Sequence, residues 1–345
     1  LCRSMRHRLF RDKFFSKGRA MNNHLFDTSN TDPALNLAIE EALLMRKNSG
    51  PAFFLWQNAH TVVIGHAQNA WKECRTALLE EEGGTLARRS TGGGAVYHDL
   101  GNLNFSFVMP KALYDVPRQL NVIRRAVKAF GVNTENSGRN DIVILPGGEK
   151  FSGNAFKITR DAGLHHGTIL MDVDMAKLGR YLAPSKQKLE AKGVKSVRAR
   201  VGNLKEHAPG ITIPQLKEAL WEAFAQEYGP AEKLAWQEVL DQGLIGQLEE
   251  RNRSWDWNYG RTPKFDISLE TRFPWGGVEL LLSLKNAAVE EVHCYSDAND
   301  PDLAARVGAA LLGATFTGEG LAGRLKNSDK AEDRELAGWL AELEV

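Results

Sequence analysis

The stretch Arg88-Arg89-Ser90-Thr91-Gly92-Gly93-Gly94-Ala95-Val96-Tyr97-His98-Asp99 sets two guanidinium groups beside three consecutive glycines, with an apolar-aromatic segment and a His-Asp pair behind them. Glycine loses more backbone freedom on folding than any other residue, so three in a row read as a loop, not as the interior of a helix or strand. Without Cβ atoms such a loop can approach a ligand closely and turn its N–H groups on an anion. Arginine adds planar, permanently charged donors suited to phosphate or carboxylate. Two readings fit: a loop that holds an anion, and a hairpin turn whose arginines sit in solvent.

Outward from this stretch the pattern is one of strands in clusters. Leu86 to Arg89 reads as a short strand running into the glycine loop. Phe53-Phe54-Leu55-Trp56 and Thr61-Val62-Val63-Ile64 read as strands, with Asn58-Ala59-His60 as the turn. Asn102-Leu-Asn-Phe-Ser-Phe107 alternates strictly, which predicts a half-buried strand with Leu103, Phe105 and Phe107 inward. Further strands are expected at Asp141–Leu145 and Leu164–Val173. Asp32-Pro33 opens a helix by cap and first-turn proline. Others are expected at 71–82, ending at Gly83-Gly84, and at about 117–130, 214–228, 233–248, 300–312 and 330–343. Clustered strands, rather than strict β-α-β alternation, predict an α+β fold with a mixed, largely antiparallel sheet and flanking helices. The glycines match neither the dinucleotide-binding nor the P-loop spacing.

The chain has 345 residues, long for a single core, so two domains are expected. The polar run Gln247 to Ser254 suits a linker. We therefore expect a catalytic domain over 21–247 and a smaller α/β C-terminal domain over 255–345. Residues 1–20 carry seven basic groups against Asp12. They read as an extension outside the fold, with Met21 as the natural start, or as an Arg-rich targeting peptide. A net charge of +1 gives no global field toward nucleic acid or membrane. No apolar run approaches the roughly 20 residues that span a bilayer. Three scattered cysteines, Cys2, Cys74 and Cys294, suggest a reducing compartment without structural disulfides, and a cytoplasmic location is the expectation.

Four glycine-and-polar islands recur at the ends of predicted strands: 88–102, 137–141, 149–154 and 165–168. They either line one cleft or are four unrelated turns. Lys150, between a Gly-Gly turn and Ser152-Gly153, can set its ammonium against a phosphate or carboxylate, or sit solvated beside Glu149. Asp141 can hold Mg²⁺ with substrate phosphates, or cap a turn. His98-Asp99 and His165-His166 lack zinc-site spacing.

At these residues the chain resembles lipoate–protein ligase A in its large bacterial form, which carries a C-terminal accessory domain. The resemblance runs through Asn36 to Glu41, Thr61 to Gly65, Ala67 to Asn69, Arg88 to Asn102, Ser137 to Asp141, Lys150 to Asn154 and His165 to Leu170. It continues in Lys192 to Val194, Ser196 to Val201 and Trp275 to Leu280, in order, over nearly the whole chain from about residue 24. It implies a biotin/lipoate ligase-like catalytic fold and a two-step reaction. Lipoate and Mg-ATP give lipoyl-AMP and pyrophosphate; then a lysine of an acceptor domain takes the lipoyl group. The implied acceptors are lipoyl domains of 2-oxoacid dehydrogenase E2 subunits and the glycine-cleavage H protein. By the same resemblance Lys150 contacts the lipoyl carbonyl and α-phosphate, and Arg89 binds the nucleotide. Gly94-Ala95-Val96-Tyr97 holds the adenine through its backbone, and Asn102 lies near the nucleotide. Asp141 serves the Mg²⁺, and Gly92, Gly93, His98 and His166 join Lys150 and Arg89 around lipoate. A monomer is implied. The loop at 184–202 and the C-terminal domain are candidates for a cover that keeps water from lipoyl-AMP. The rival is an ATP-independent octanoyl or lipoyl transferase of the same fold. It would need a cysteine beside the lysine, and no island holds one.

Overall fold

The computed structural model describes residues 22–46, 50–138, 141–182, 201–259, 267–285 and 288–343. The proposed extension 1–20 and most of the proposed cover loop 184–202 lie outside the described residues. The strands are β1 (Asn23–Asp27), β2 (Ala52–Trp56), β3 (Thr61–Ile64), β4 (Thr85–Arg88), β5 (Val96–His98), β6 (Asn102–Pro110), β7 (Thr134–Ser137), β8 (Asp141–Ile144), β9 (Lys150–Ile158), β10 (Ala162–Leu170), β11 (Ala231–Lys233), β12 (Ile267–Phe273), β13 (Gly276–Lys285) and β14 (Ala288–Ser296).

Eight of these form one mixed sheet in the order β11-β1-β2-β6-β10-β9-β8-β7, antiparallel except where β1 meets β11 and β2. One face packs Phe53, Phe105 and Phe107 against the helices Val116–Lys128 and Ile213–Tyr228. The alternation along β6 drives this: its odd-numbered residues all enter that core. The even-numbered set does not face water as a half-buried strand requires. Asn102, Asn104 and Ser106 are buried too. Their face is covered in part by the helix Pro33–Met45, opened by Asp32 and Pro33, and in part by a second sheet, β4-β3-β5.

That second sheet corrects a further expectation. β2 and β3 do not form a hairpin, because Asn58 between them is fully buried and hydrogen-bonded to Asn36 and His98. The chain thus leaves one sheet for the other. The helix expected at 71–82 is two short pieces, Ala70–Glu73 and Thr76–Glu81, separated where Cys74 bridges to Leu182. The run 247–254 lies mostly within a helix, Gln242–Arg253, not a linker. Leu248 is buried against the Pro33–Met45 layer, and Arg251 pairs with Glu41 at 2.6 Å.

The C-terminal domain is a three-stranded antiparallel sheet, β12-β13-β14, followed by the helices Leu303–Leu311, Gly318–Leu325 and Ala331–Ala341 around its own core. Its middle helix is one the sequence pattern did not separate. Both the antiparallel sheet and the strands-then-helices order make it α+β. No described helix is long and apolar enough to cross a membrane.

Candidate active site

The buried polar face of the large sheet and the small sheet above it enclose a cavity of about 430 Å³. All four islands reach its wall: Arg89, Gly93, Gly94, Ala95, Val96 and His98 from the first, Asp141 from the second, Lys150, Gly153 and Asn154 from the third, His166, Gly167 and Thr168 from the fourth. The alternative of four unrelated turns is thereby excluded. The third island opens strand β9, at a strand end as expected, whereas the fourth lies within strand β10. Register explains how they meet. Trp56 pairs with Asn104, and Asn104 with Thr168, whose hydroxyl accepts from the Gly153 N–H at 3.2 Å. This row crosses four adjacent strands and floors the cavity.

Lys150 is the first residue of β9. Its Nζ lies 2.6 Å from Asp141 Oδ1, both side chains about one-third exposed, so it is neither solvated beside Glu149 nor sealed away. A Cβ on Gly153 would stand 3.0 Å from that Nζ, so the glycine clears the space the ammonium occupies.

The two arginines of the opening stretch part company. Arg88 is not on the cavity wall: its guanidinium donates to five backbone carbonyls, of Gly65, His66, Gln68, Trp257 and Asn258, at 2.6–3.1 Å. Arg89 lines the cavity but also folds the loop. It donates to the carbonyls of Val63, Gly92 and Gly94 and to the Thr91 hydroxyl. Burial pulls its pKa down to about 10, which leaves it cationic at neutral pH. Within the loop only Gly93 needs the left-handed region, with φ of 91°. Gly92 is off the wall, packed so tightly against the C-terminal domain that a Cβ would sit 2.2 Å from the Ala298 carbonyl oxygen. The Gly93 N–H donates to that same carbonyl at 2.9 Å. Here the loop amide holds protein, where the sequence suggested an anion.

His166 sits at the centre of a buried chain. Trp56 Nε1–H donates to Ser106 Oγ, and the Ser106 hydroxyl donates to Glu40 Oε1. His166 Nδ1–H donates to the same Glu40 oxygen at 2.7 Å, while its Nε2 meets the Thr91 hydroxyl at 2.8 Å. Arg89 Nε–H closes the chain on Thr91 at 3.0 Å. Glu40 thus fixes the orientation of His166 and, through Thr91, of Arg89. His98 is buried and neutral, its pKa pulled down to about 3 by burial and by Arg89 and His166.

Besides Gly92, two expected residues are not on the wall. Asn102 is buried and donates to Asn104 Oδ1; the wall position belongs to Asn104. Tyr97 turns its ring away, onto His60 and Tyr181. A backbone contact from Tyr97 is compatible with that. Sequence reading missed Glu40, Trp56 and Asn104, and it missed Arg272 and Asp297, by which the C-terminal domain completes the wall. A buried polar set alternating along β6 was the available signal for Asn104; nothing local marked Arg272. Among the described residues no cluster of three His, Cys, Asp or Glu could hold a metal ion. Asp141 offers a carboxylate beside Lys150. Cys74 is buried outside the cavity wall, its thiol pushed up to about 12 by burial, and Cys294 is raised likewise.

The family model described as the lipoyl protein ligase A/B catalytic domain matches residues 32–225, and that of the bacterial lipoate protein ligase C-terminus matches residues 262–340. Among solved structures, the chain is similar to LipL1 of P. falciparum in complex with lipoate. The identity is 28% and the TM-score 0.82, over 93% of this chain and 100% of that one. It is similar to the bi-partite lipoate protein ligase of Thermoplasma acidophilum, studied with its E2 lipoyl domain, at 27% identity and a TM-score of 0.61 over 72% and 100% of the two chains. A lipoate–protein ligase A bound with ATP matches at 26% identity and a TM-score of 0.58, over 70% and 98%. With one family domain matched over more than half of the chain and the second following it in order, this enzyme belongs to the lipoate–protein ligases.

Proposed function

We propose that the chain activates free lipoate with ATP and passes the lipoyl group to a lysine of an acceptor domain. The observation that carries this is the position of Lys150. Its ammonium lies 2.6 Å from Asp141 on the wall of a cavity that Arg89 and the apolar Leu37, Trp56 and Val63 also line. A carboxylate whose tail lies along that apolar lining can present its oxygens to Lys150. Its attack on the α-phosphorus of ATP forms the acyl phosphate bond and expels pyrophosphate. Negative charge rises on the α-phosphate oxygens, and Lys150 and Arg89 are preorganised to offset it. Asp141 fits as the carboxylate that holds Mg²⁺ together with the phosphates; such an ion, when bound, neutralises phosphate charge. In the second step the acceptor amine attacks the lipoyl carbonyl, the amide forms, and AMP leaves. No protein nucleophile is required.

The lipoate and ATP complexes of the similar proteins support the substrates, and the archaeal pairing with an E2 lipoyl domain supports the acceptor class. We extend it to the E2 subunits of 2-oxoacid dehydrogenases and to the glycine-cleavage H protein. The reducing cytoplasm suits the free thiols of Cys74 and Cys294. Arg272 and Asp297 in the wall support the C-terminal domain as part of the cover over lipoyl-AMP. The buried thiols, with pKa raised, speak against a cysteine-dependent transferase.

Lipoate-dependent ATP–pyrophosphate exchange tests the reading. Wild type should exchange only with lipoate present, and Lys150→Ala should lose roughly 10²-fold or more, as expected when a transition-state donor is removed. Folded wild type without exchange would overturn it.

A further inference from the structure

The end of the cavity that lies two strands from Lys150 is not uniformly apolar. His98 and Asn104 flank Trp56 there: the His98 ring meets Trp56 edge-on, and Asn104 is its register partner on β6. The two residues are 3% and 2% exposed. Each keeps a buried polar atom, His98 Nε2 and Asn104 Nδ2, without a partner among the described residues.

The state of His98 follows from its neighbours. Asn36 Nδ2 donates to the backbone carbonyls of Asn30 and Gln57, which can only accept, so that atom is nitrogen. It also donates to Asn58 Oδ1 at 3.0 Å. Asn58 therefore turns its Nδ2 to His98 Nδ1 at 3.2 Å, and Nδ1 accepts. A neutral imidazole that accepts at Nδ1 carries its proton at Nε2. Asn58 is not on the cavity wall and His98 is, and with Nδ1 turned to Asn58 the donor that His98 has left is Nε2–H. As for Asn104, its amide partner among the described residues is Asn102. Whichever way those two amides are turned, one atom of the Asn104 amide stays unpartnered.

We propose that this end is a hydrogen-bonding seat for the dithiolane ring, and that it makes the chain select lipoate over octanoate. The proposal rests on the ligase reading above. Lys150 Nζ stands over Gly153, two strands from Asn104, and two strand spacings are about 10 Å. An extended eight-carbon acid with its carboxylate at Lys150 ends at His98 and Asn104. A disulfide sulfur is a weak acceptor and can take the Nε2–H. The methyl end of octanoate cannot, and leaves a buried donor unpaired. Sites built to hydrogen-bond a substrate group reject analogues that lack it.

The test compares lipoate with octanoate in ATP–pyrophosphate exchange and, independently of turnover, by calorimetric binding. The proteins are wild type, His98→Phe and Asn104→Leu. Wild type should favour lipoate by about tenfold or more in kcat/KM and in Kd, and each variant should bring both ratios toward one. A purely structural role would weaken both acids alike and leave the ratios unmoved, which would overturn the proposal. So would a wild type that takes both acids equally well. Should His98→Phe fail to fold, Asn104→Leu decides. Absence of exchange with either acid would count against the ligase reading instead, and the Kd ratios would still decide this one.

Discussion

Arg88 and Arg89 are adjacent, chemically identical and set to different work. Sequence alone could not separate them, because the carbonyls that occupy Arg88 come from about twenty residues upstream and 170 downstream. Lys150 was legible: a lysine between glycines at the start of a strand has few structural uses. Asn104 and Glu40 were not, since a buried amide or carboxylate declares itself only when the elements around it are packed. Arg88→Ala should leave five backbone carbonyls without their donor, two of them in the Trp255–Asn258 helix. Unpaired buried acceptors cost about 1–3 kcal/mol each before relaxation and water entry, so a net loss of about 2–4 kcal/mol is expected. Calorimetry should show Tm lowered by roughly 5–10 °C. Arg88→Lys should not restore it, as one ammonium cannot span the five acceptors. An unchanged Tm would mean that water replaces the guanidinium at no cost.

The strands and helices were mostly readable, and where the reading failed the cause was burial on a second face. β6 alternates as a half-exposed strand does, yet its polar residues are buried as well, Asn104 in the cavity wall. The hairpin expected at Asn58 fails for the same reason: an asparagine typical of turns is here a buried hydrogen-bonding joint between two sheets. The contact of the glycine loop with the Ala298 loop was invisible in sequence, since the partners are about 200 residues apart. Gly92→Val places side-chain carbons where the Ala298 carbonyl now sits, and backbone cannot yield as a flexible side chain can. We expect the loops to separate and the C-terminal domain to lose its seat. Bound lipoyl-AMP should then hydrolyse several-fold faster, as measured by AMP release without acceptor. A hydrolysis rate equal to wild type would detach this contact from the cover.

At the scale of the molecule, the two domains are tied by Lys72 to Glu279 at 2.5 Å as well as by the loop contact, so the cavity wall is an assembly of both. Five described histidines, His24, His60, His66, His98 and His165, are held below the ordinary value of 6.5 by burial, His98 and His165 down to about 3. A neutral histidine in the native state takes up a proton on unfolding once the pH is below 6.5. Stability is therefore full above that value and falls as the pH drops toward 3. The last two, the most strongly lowered, carry most of that dependence. Against a total stability of about 5–15 kcal/mol, this predicts a urea midpoint that falls steeply between pH 6 and 4, ahead of carboxylate titration. A midpoint constant from pH 7 to 4 would contradict it. The floor of the cavity has its own consequence. It runs across the strands, so Gly153, Thr168, Asn104 and Trp56 act like marks on a ruler graduated about 4.8 Å apart. Changing the residue at one mark alters the fit of one short segment of the acyl chain and leaves its neighbours in register. Tolerance for longer, shorter or branched acids can thus be retuned one graduation at a time.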